Sequence, residues 1–166
     1  MKKYSSFLSA IRVLEGDLRK NEYLREVFFS LPIKKGECTI RSPARETEED
    51  RNEIIHKIDE QVLPLFLKEV NPRKASVVLT YPDTGLGRCL SSVVFWAEKN
   101  KLYCTALFRS MSLILFPYDY ETLSFASKHI INKTGLKEGG LHILIVNLYN
   151  KPVPGVKETR WDDFFI

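Results

Sequence analysis

A cysteine and an arginine–serine pair are the residues of this sequence best suited to chemistry. Cys89 precedes Arg109-Ser110 by twenty positions, within the stretch GRCLSSVVFWAEKNKLYCTALFRSMSLILFPYD. A cysteine thiolate is a strong nucleophile, and a guanidinium beside a hydroxyl suits the oxygens of a phosphate. A nucleophile and a phosphate clamp at this spacing predict a nucleotide site.

Each of these residues also has a structural interpretation. An isolated strand cysteine is more often a buried apolar residue, and a surface arginine often belongs to an ion pair. Cys104 lies in mid-strand and Cys38 has no motif around it, so neither is expected to act in catalysis. A neighbouring cation favours a thiolate, and Arg88 and Arg109 are candidates for that role beside Cys89.

The elements that would position these residues are strands. Val, Phe, Trp and Tyr are frequent over about 89–98 and 101–108, and the short turn Lys99-Asn100 between them predicts a β-hairpin. The β-branched run Ala75–Tyr81 predicts a further strand. Leu141–Tyr149 (LHILIVNLY) is almost entirely apolar, which predicts a strand buried on both faces.

Helical periodicity occurs in three places. Over residues 4–20, apolar side chains recur at intervals of three and four. Thr47 and the acidic residues after it predict the start of a second helix, and Pro64 should kink or divide that helix. A third helix is predicted at 119–134, with Gly135 as its C-cap.

The remaining intervals are predicted to be loops. Arg19, Lys35 and the turns between them look like surface, and LPIKKGECTIRSPAR is punctuated by Pro and Gly around one short strand near Glu37–Arg41. Together, the elements predict one α+β domain with a sheet of four to six strands.

Composition and charge narrow the functional class. The chain has 166 residues, 44% of them hydrophobic and 28% charged, as in an ordinary soluble single-domain protein. No apolar run reaches the roughly 20 residues that span a bilayer, so a cytoplasmic protein without membrane contact is expected. The net charge of +4 favours anionic ligands but not a long nucleic acid. The three cysteines lack the spacing of a metal site, so no metal is expected.

The hairpin and its surroundings resemble the thymidylate synthase and deoxycytidylate hydroxymethylase family. That family has a nucleophilic Cys, a hairpin ending in Arg-Ser, and then Pro-Phe-Asn or an Asp variant; the match from Cys89 to Ser110 needs no gap. The further matching segments are Leu102, Cys104, Pro117-Tyr118-Asp119, Gly135-Leu136, Gly139, Asn147-Leu148-Tyr149 and Asn71-Pro72-Arg73-Lys74. The resemblance is clearest over 50–150.

The resemblance implies a thymidylate synthase-like α+β fold. Residues 1–166 would form a single domain, with a curved mixed β-sheet of about four to six strands packed with three main helices. The chain would be a homodimer formed through its sheet. Its reaction would add one carbon to C5 of a pyrimidine nucleoside monophosphate, with 5,10-methylenetetrahydrofolate or a related pterin as the donor.

The resemblance also implies roles for individual residues. Cys89 would be the catalytic thiolate that adds to C6 of the pyrimidine. Arg109 and Ser110 would bind the nucleotide phosphate, while Arg73 and Lys74 would reach the phosphate of the partner subunit. Basic pairs before strands are common, so Arg73 and Lys74 have an equally plausible structural interpretation.

Asp119 and Tyr149 are the candidates for base and sugar binding. An Asn amide would suit uracil, whereas a carboxylate accepts a hydrogen bond from the exocyclic amine of cytosine. Asp119 therefore favours a cytosine nucleotide (dCMP or CMP) over dUMP, although Asp is also a common helix N-cap. Tyr149 could bind a sugar hydroxyl, or it could end a buried strand with its own hydroxyl in water.

The sequence departs from the family at several positions. Ser112 stands where the family has an Asp that is tied to folate binding and catalysis, and Asn147 replaces its His. The N-terminal portion is short, and the terminal WDDFFI does not resemble the family's folate-closing C-terminus. Nucleotide binding is therefore better supported than the use of folate.

Three classes of function fit these observations. The first is an enzyme, a pyrimidine nucleotide C5 methylase or hydroxymethylase. The second is a non-catalytic nucleotide-binding or scaffold subunit with the same fold. The third is an interaction domain that shares only the fold.

Overall fold

The structure is a computed structural model that describes residues 2–33, 45–69, 72, 75–80 and 87–150, with the backbone alone for 45–50, 80, 87 and 88. The elements run in the order β1 (Lys2–Lys3), α1 (Phe7–Leu18), β2 (Tyr23–Leu31), α2 (Arg45–Lys57), a π-helical segment (Ile58–Val62), α3 (Leu63–Lys68), β3 (Ser76–Thr80), β4 (Gly87–Glu98), β5 (Lys101–Ser112), α4 (Phe116–Thr134) and β6 (Lys137–Tyr149). Among the described helices, none has the length and apolar character that crossing a bilayer requires.

The described strands form one mixed sheet in the order β1-β2-β6-β5-β4-β3. The pairs β1–β2 and β5–β6 are parallel, and the other neighbours are antiparallel. Alternate strand residues such as Phe29, Phe95 and Ile143 form one buried core with helix residues such as Ile11 and Leu123. The predicted α+β class is thereby confirmed, and the six strands lie within the predicted range of four to six.

The hairpin that carries the candidate residues forms as predicted. Lys99 and Asn100 connect β4 to β5 with φ angles of 52° and 62°. Left-handed conformations at both turn residues match the right-handed twist of the flanking strands, as in a type I′ turn. The paired residues run from Glu98↔Lys101 beside the turn to Leu90↔Phe108 at the far end. The start of β4 and the end of β5, which carry the candidate residues, therefore lie side by side.

The first helix begins at a capping box. The Ser6 hydroxyl accepts from the backbone N–H of Ser9 at 3.2 Å, and the Ser9 hydroxyl accepts from the backbone N–H of Ser6 at 3.3 Å. These bonds satisfy two donors at the helix start. The predicted apolar face of the helix is confirmed, and its buried residues are Phe7, Ala10, Ile11, Leu14 and Leu18.

The second predicted helix is divided near Pro64, as expected from the proline in its sequence. Pro64 lies in the first turn of α3, directly after the π-helical segment. A proline is tolerated there because the first-turn N–H groups have no partner within the helix. The helix begins at Arg45, so the predicted start at Thr47 lies two residues inside it.

The third predicted helix begins earlier than expected. α4 starts at Phe116 instead of residue 119 and ends at Thr134. Gly135 follows with φ of 73°, and its N–H donates to the Ile131 carbonyl at 2.8 Å. The predicted glycine C-cap is confirmed, because glycine adopts this left-handed conformation without steric cost.

Two strand predictions were wrong. The interval between Arg19 and Lys35 was predicted to be surface turns, yet it contains β2, which pairs antiparallel with β6. Leu141–Tyr149 was predicted to be buried on both faces, but burial alternates along it as far as Val146, which is 43% exposed, and only Leu148 is buried on the second face. One face of the apolar run packs in the core, while on the other face His142 and Leu144 are half-buried and Val146 is exposed. The short strand predicted near Glu37–Arg41 lies outside the described residues.

A glycine allows β5 and β6 to come together at the start of their ladder. The register shifts between Leu102↔Glu138 and Tyr103↔Gly140, which leaves Gly139 as the extra residue of a bulge. A Cβ at residue 139 would overlap the backbone oxygen of Leu102. The close approach of the two strands therefore requires glycine at this position.

Gly139→Ala should lower the free energy of unfolding by about 1–3 kcal/mol, because the added methyl would push β6 away from β5. Urea unfolding followed by circular dichroism measures this change. Gly16→Ala is the matched control, since a Cβ at residue 16 of α1 meets no atom within 4 Å; it should stabilise the protein by about 0.5–1 kcal/mol. Wild-type stability for Gly139→Ala would contradict the close approach.

Candidate functional site

The structure brings two of the predicted site residues into contact. Cys89 on β4 is exposed, and its Sγ lies 3.6 Å from the hydroxyl oxygen of Ser110 on β5. Either atom can be the donor, and a sulfur hydrogen bond of this length is weak. The contact places an accessible thiol beside the serine predicted to bind phosphate.

This contact lies at an interruption in the burial of β5. Cys104, Ala106 and Phe108, which alternate along β5, are completely or almost completely buried, whereas Ser110 is half-buried. The β4–β5 ladder ends at Leu90↔Phe108. Beyond that pair, Cys89 is exposed and Ser110 is half-buried, whereas β5 is buried again at Met111 and Ser112.

Polar residues continue from Ser110 across the sheet. Ser110 pairs with Asn147 of β6, and Asn147 pairs with Arg25 of β2. Residues paired across neighbouring strands share a face, so these three side chains form one row across the sheet. In the next row, Ser112, Tyr149 and Tyr23 are aligned in the same way.

A cavity of about 480 Å³ adjoins these rows and is lined by Glu22, Tyr23, Arg25, Asn147 and Tyr149. Arg25 Nη2 donates to the Tyr23 hydroxyl at 3.4 Å, and the guanidinium carbon lies 5.2 Å from the centre of the Tyr23 ring. Contact with an aromatic ring and its hydroxyl restricts the flexible arginine. We call this space the β2–β6 cavity.

The sequence did not identify Glu22, Tyr23 or Arg25 as site residues. They belong to the start of β2 or to the turn before it, in a region predicted to be surface turns. Their signal was the alternation in YLREVFFSL, in which Val27, Phe29 and Leu31 follow Tyr23 and Arg25 at intervals of two. That pattern predicts a shared face but does not name the strand that pairs with it.

Arg109 is exposed, and among the described residues no carboxylate forms an ion pair with it. The structural interpretation of Arg109 as part of a surface ion pair therefore finds no support in the described part of the chain. An arginine without an ion-pair partner among the described residues is available to bind an anionic ligand.

Cys104 has the structural role that its mid-strand position predicted. It is completely buried, and burial raises the pKa of its thiol to about 12, opposed by a smaller effect from a hydrogen bond to Ser127. Desolvation disfavours the charged thiolate, so Cys104 stays a neutral core residue.

Asp119 and Tyr149 lie in different elements. Asp119 is half-buried in the first turn of α4, whose N-cap is Leu115 without a side-chain cap. The N-cap interpretation of Asp119 is therefore wrong, although its charge is still favoured near the positive end of the helix. Tyr149 is half-buried at the end of β6 and lines the β2–β6 cavity.

Several candidates fall outside the described residues. Arg73, Lys74 and Cys38 are among them, as is the side chain of Arg88. Ser112, at the position where the resemblance has a carboxylate for folate, is described and is only 3% exposed. No group of three or more His, Cys, Asp or Glu side chains arranged to hold a metal ion is found in the described ranges.

Comparison with known proteins assigns the chain to no family: no protein-family model matches it, and no curated protein matches it significantly.

The two described cysteines should differ in reactivity toward iodoacetamide. The thiolate is the reactive form, and with a pKa of about 12 only about 1 in 10⁴ Cys104 side chains is ionised at pH 8. In the native protein we expect alkylation of Cys89 within the labelling time and alkylation of Cys104 only after denaturation, as read by mass spectrometry of the peptides. Equal native labelling of both would show that Cys104 is accessible.

Proposed function

We propose that the protein is a pyrimidine nucleotide C5 one-carbon transferase with a thymidylate synthase-like fold. In this proposal the Cys89 thiolate adds to C6 of a pyrimidine nucleoside monophosphate, a cytosine nucleotide (dCMP or CMP) in preference to dUMP. The observation that carries it is the contact between the exposed Cys89 sulfur and Ser110, beside the polar rows and the β2–β6 cavity.

The chemistry requires a nucleophile because C5 of a pyrimidine reacts poorly with electrophiles. When sulfur bonds to C6, the C5–C6 π pair moves toward C5, which becomes nucleophilic. C5 then takes up a proton or an electrophilic carbon. Loss of the original C5 proton and departure of the thiolate restore the ring. A polarisable sulfur performs both the addition and the departure well.

The phosphate would be held by Arg109 and Ser110. The arginine offers a planar, permanently charged fork and the serine a hydroxyl, and both suit phosphate oxygens. Because Ser110 also contacts the Cys89 sulfur, a phosphate held there would keep the nucleotide close to the thiol. Arg73 and Lys74 would add cations from the partner subunit.

Asp119 would accept a hydrogen bond from the exocyclic amine of cytosine. It lies in the first turn of α4, near the positive end of the helix. Tyr149, which lines the β2–β6 cavity, would bind the sugar.

The described residues do not fit a folate. The carboxylate that the resemblance would use is replaced by Ser112, which is uncharged and only 3% exposed. A bound 5,10-methylenetetrahydrofolate or related pterin would supply the electrophilic carbon. The chemistry proposed for this chain's own residues ends at the activated C5.

Dimerisation through the sheet is the proposed assembly. The face opposite the helices exposes four large apolar residues, one on each of four strands: Phe28, Val78, Val94 and Val146. Trp96 stacks on Tyr103 on the same face, with ring centres 4.4 Å apart. Exposed apolar surface of this kind is typical of protein interfaces.

Cys89→Ala should abolish the release of tritium from C5 of labelled CMP or dCMP while preserving nucleotide binding. The variant lacks the only group proposed to add to C6, yet it keeps the phosphate clamp. Release of tritium to water measures the reaction with and without folate. Cys38→Ala, which removes a cysteine without a motif, is the control and should keep wild-type exchange.

The same assay separates the candidate functions. Nucleotide binding without any exchange, unchanged in Cys89→Ala, would favour the non-catalytic subunit. If none of CMP, dCMP, dUMP and dTMP raises the melting temperature, the nucleotide site itself is contradicted, since a ligand that binds only the native state must stabilise it.

Arg109→Ala should weaken nucleotide monophosphate binding about 10–100-fold, the effect of losing hydrogen bonds to a charged group. Isothermal titration calorimetry measures the change in Kd. Arg12→Ala removes an exposed cation from α1 and controls for net charge; it should leave Kd nearly unchanged. Equal losses in both variants would mean that Arg109 acts only through overall charge.

Val94→Glu and Val146→Glu should convert the proposed dimer to monomers, because each buries a charge at the interface. Sedimentation velocity reports the assembly state. Leu67→Glu places the same charge on α3, at a residue that is 69% exposed, and should leave the dimer intact. A wild-type chain that sediments as a monomer would contradict the assembly.

A further inference from the structure

The β2–β6 cavity contains more polar groups than a single tyrosine–sugar contact needs. Its lining holds a carboxylate (Glu22), a guanidinium (Arg25), a carboxamide (Asn147) and the hydroxyls of Tyr23 and Tyr149. The two charges are opposite, so the lining offers strong acceptors as well as strong donors. A matching ligand should therefore carry groups that both donate and accept hydrogen bonds.

The cavity lies along the sheet from the reactive thiol. Arg25 is two strands away from Ser110, through Asn147, and neighbouring strands are about 4.8 Å apart. The backbones of Arg25 and Ser110 are therefore separated by about 10 Å. A nucleotide with its ring at Cys89 can reach this cavity with the hydroxyl edge of its sugar.

Vicinal hydroxyls fit both charges. Each hydroxyl can donate one hydrogen bond and accept others, so a diol can donate to Glu22 and accept from Arg25. A phosphate would be attracted by Arg25 but repelled by Glu22, and an apolar group would desolvate both charges without bonding to either. The aromatic rings of Tyr23 and Tyr149 complete a lining that suits the carbon face of a sugar.

Arg25 is already oriented for this role. Its guanidinium is held over the Tyr23 ring and bonded to the Tyr23 hydroxyl. Tyr23 contacts one edge of the planar guanidinium, and the N–H groups of the other edge can bind a ligand. Because Arg25 is already restricted, it loses less conformational entropy on binding than a freely rotating arginine would.

We propose that the β2–β6 cavity binds the 2′- and 3′-hydroxyls of a ribose, with Glu22 accepting and Arg25 donating hydrogen bonds, so that the protein selects ribonucleoside over 2′-deoxyribonucleoside monophosphates. This inference rests on the proposed function, because the nucleotide is the one whose ring meets Cys89. Within that function, it assigns CMP and not dCMP as the ligand.

The test compares Kd values for ribo and deoxy forms of the same base, CMP with dCMP and UMP with dUMP, by isothermal titration calorimetry on the full chain. Comparison within a base removes any effect of base preference. We expect the ribonucleotide to bind at least about 10-fold more tightly, the usual effect of one hydrogen bond to a charged group.

The discrimination ratio is the Kd of the deoxyribonucleotide divided by the Kd of the ribonucleotide. Glu22→Gln should bring this ratio close to one by weakening ribonucleotide binding alone. Glu26→Gln is the matched control: it removes a carboxylate from β2, four residues after Glu22, and Glu26 is not among the described residues that line the cavity. It should keep the wild-type ratio. Arg25→Lys keeps the charge without the planar fork and should lower the ratio. Thermal melts without ligand establish that each variant is folded.

Each alternative result has a separate meaning. Equal binding of CMP and dCMP by the wild-type protein overturns this inference and leaves the proposed function standing. Tighter binding by Glu22→Gln for both sugars shows that an anion occupies the cavity, which also overturns it. Failure of every nucleotide to bind contradicts the proposed function and, with it, the ligand named above.

Discussion

The pairing of β6 with β5 on one side and with β2 on the other is the constraint on which the rest of the structure depends. A shift of one residue would turn every side chain of β6 to the other face. Ile143 and Ile145 would then leave the core, and Asn147 and Tyr149 would leave the cavity. The packing of the core residues of β6 therefore also fixes the position of its candidate site residues.

An apolar row and a polar row follow one another directly along β2, β6 and β5. Val27, Ile145 and Phe108 are aligned in one row, and Arg25, Asn147 and Ser110 occupy the next row on the same face. Phe108 and Ile145 are at most 1% exposed. The polar row is therefore fixed in place by the packing of the apolar row beside it.

Features that depend on neighbouring residues were predictable from the sequence. The Lys99-Asn100 turn, the break at Pro64 and the C-cap at Gly135 each follow from the conformational limits of one or two residues. β2 was missed because its alternation is weak and its partner, β6, lies far away in the sequence. The outward face of β6 could not be inferred either, since an apolar run does not indicate what covers it. The same limit applies to the site: one hairpin joins Cys89 and Ser110, whereas the other polar neighbours depend on a register between distant strands.

The wide separation of β2 and β6 in the chain also affects how the molecule forms. Tyr23 pairs with Tyr149, so a loop of more than 120 residues must close before those two strands meet. Contacts this distant in sequence slow folding, and during synthesis β6 leaves the ribosome long after β2. The chain can build its hairpin and helices early, whereas the cavity between β2 and β6 exists only once synthesis has passed Tyr149.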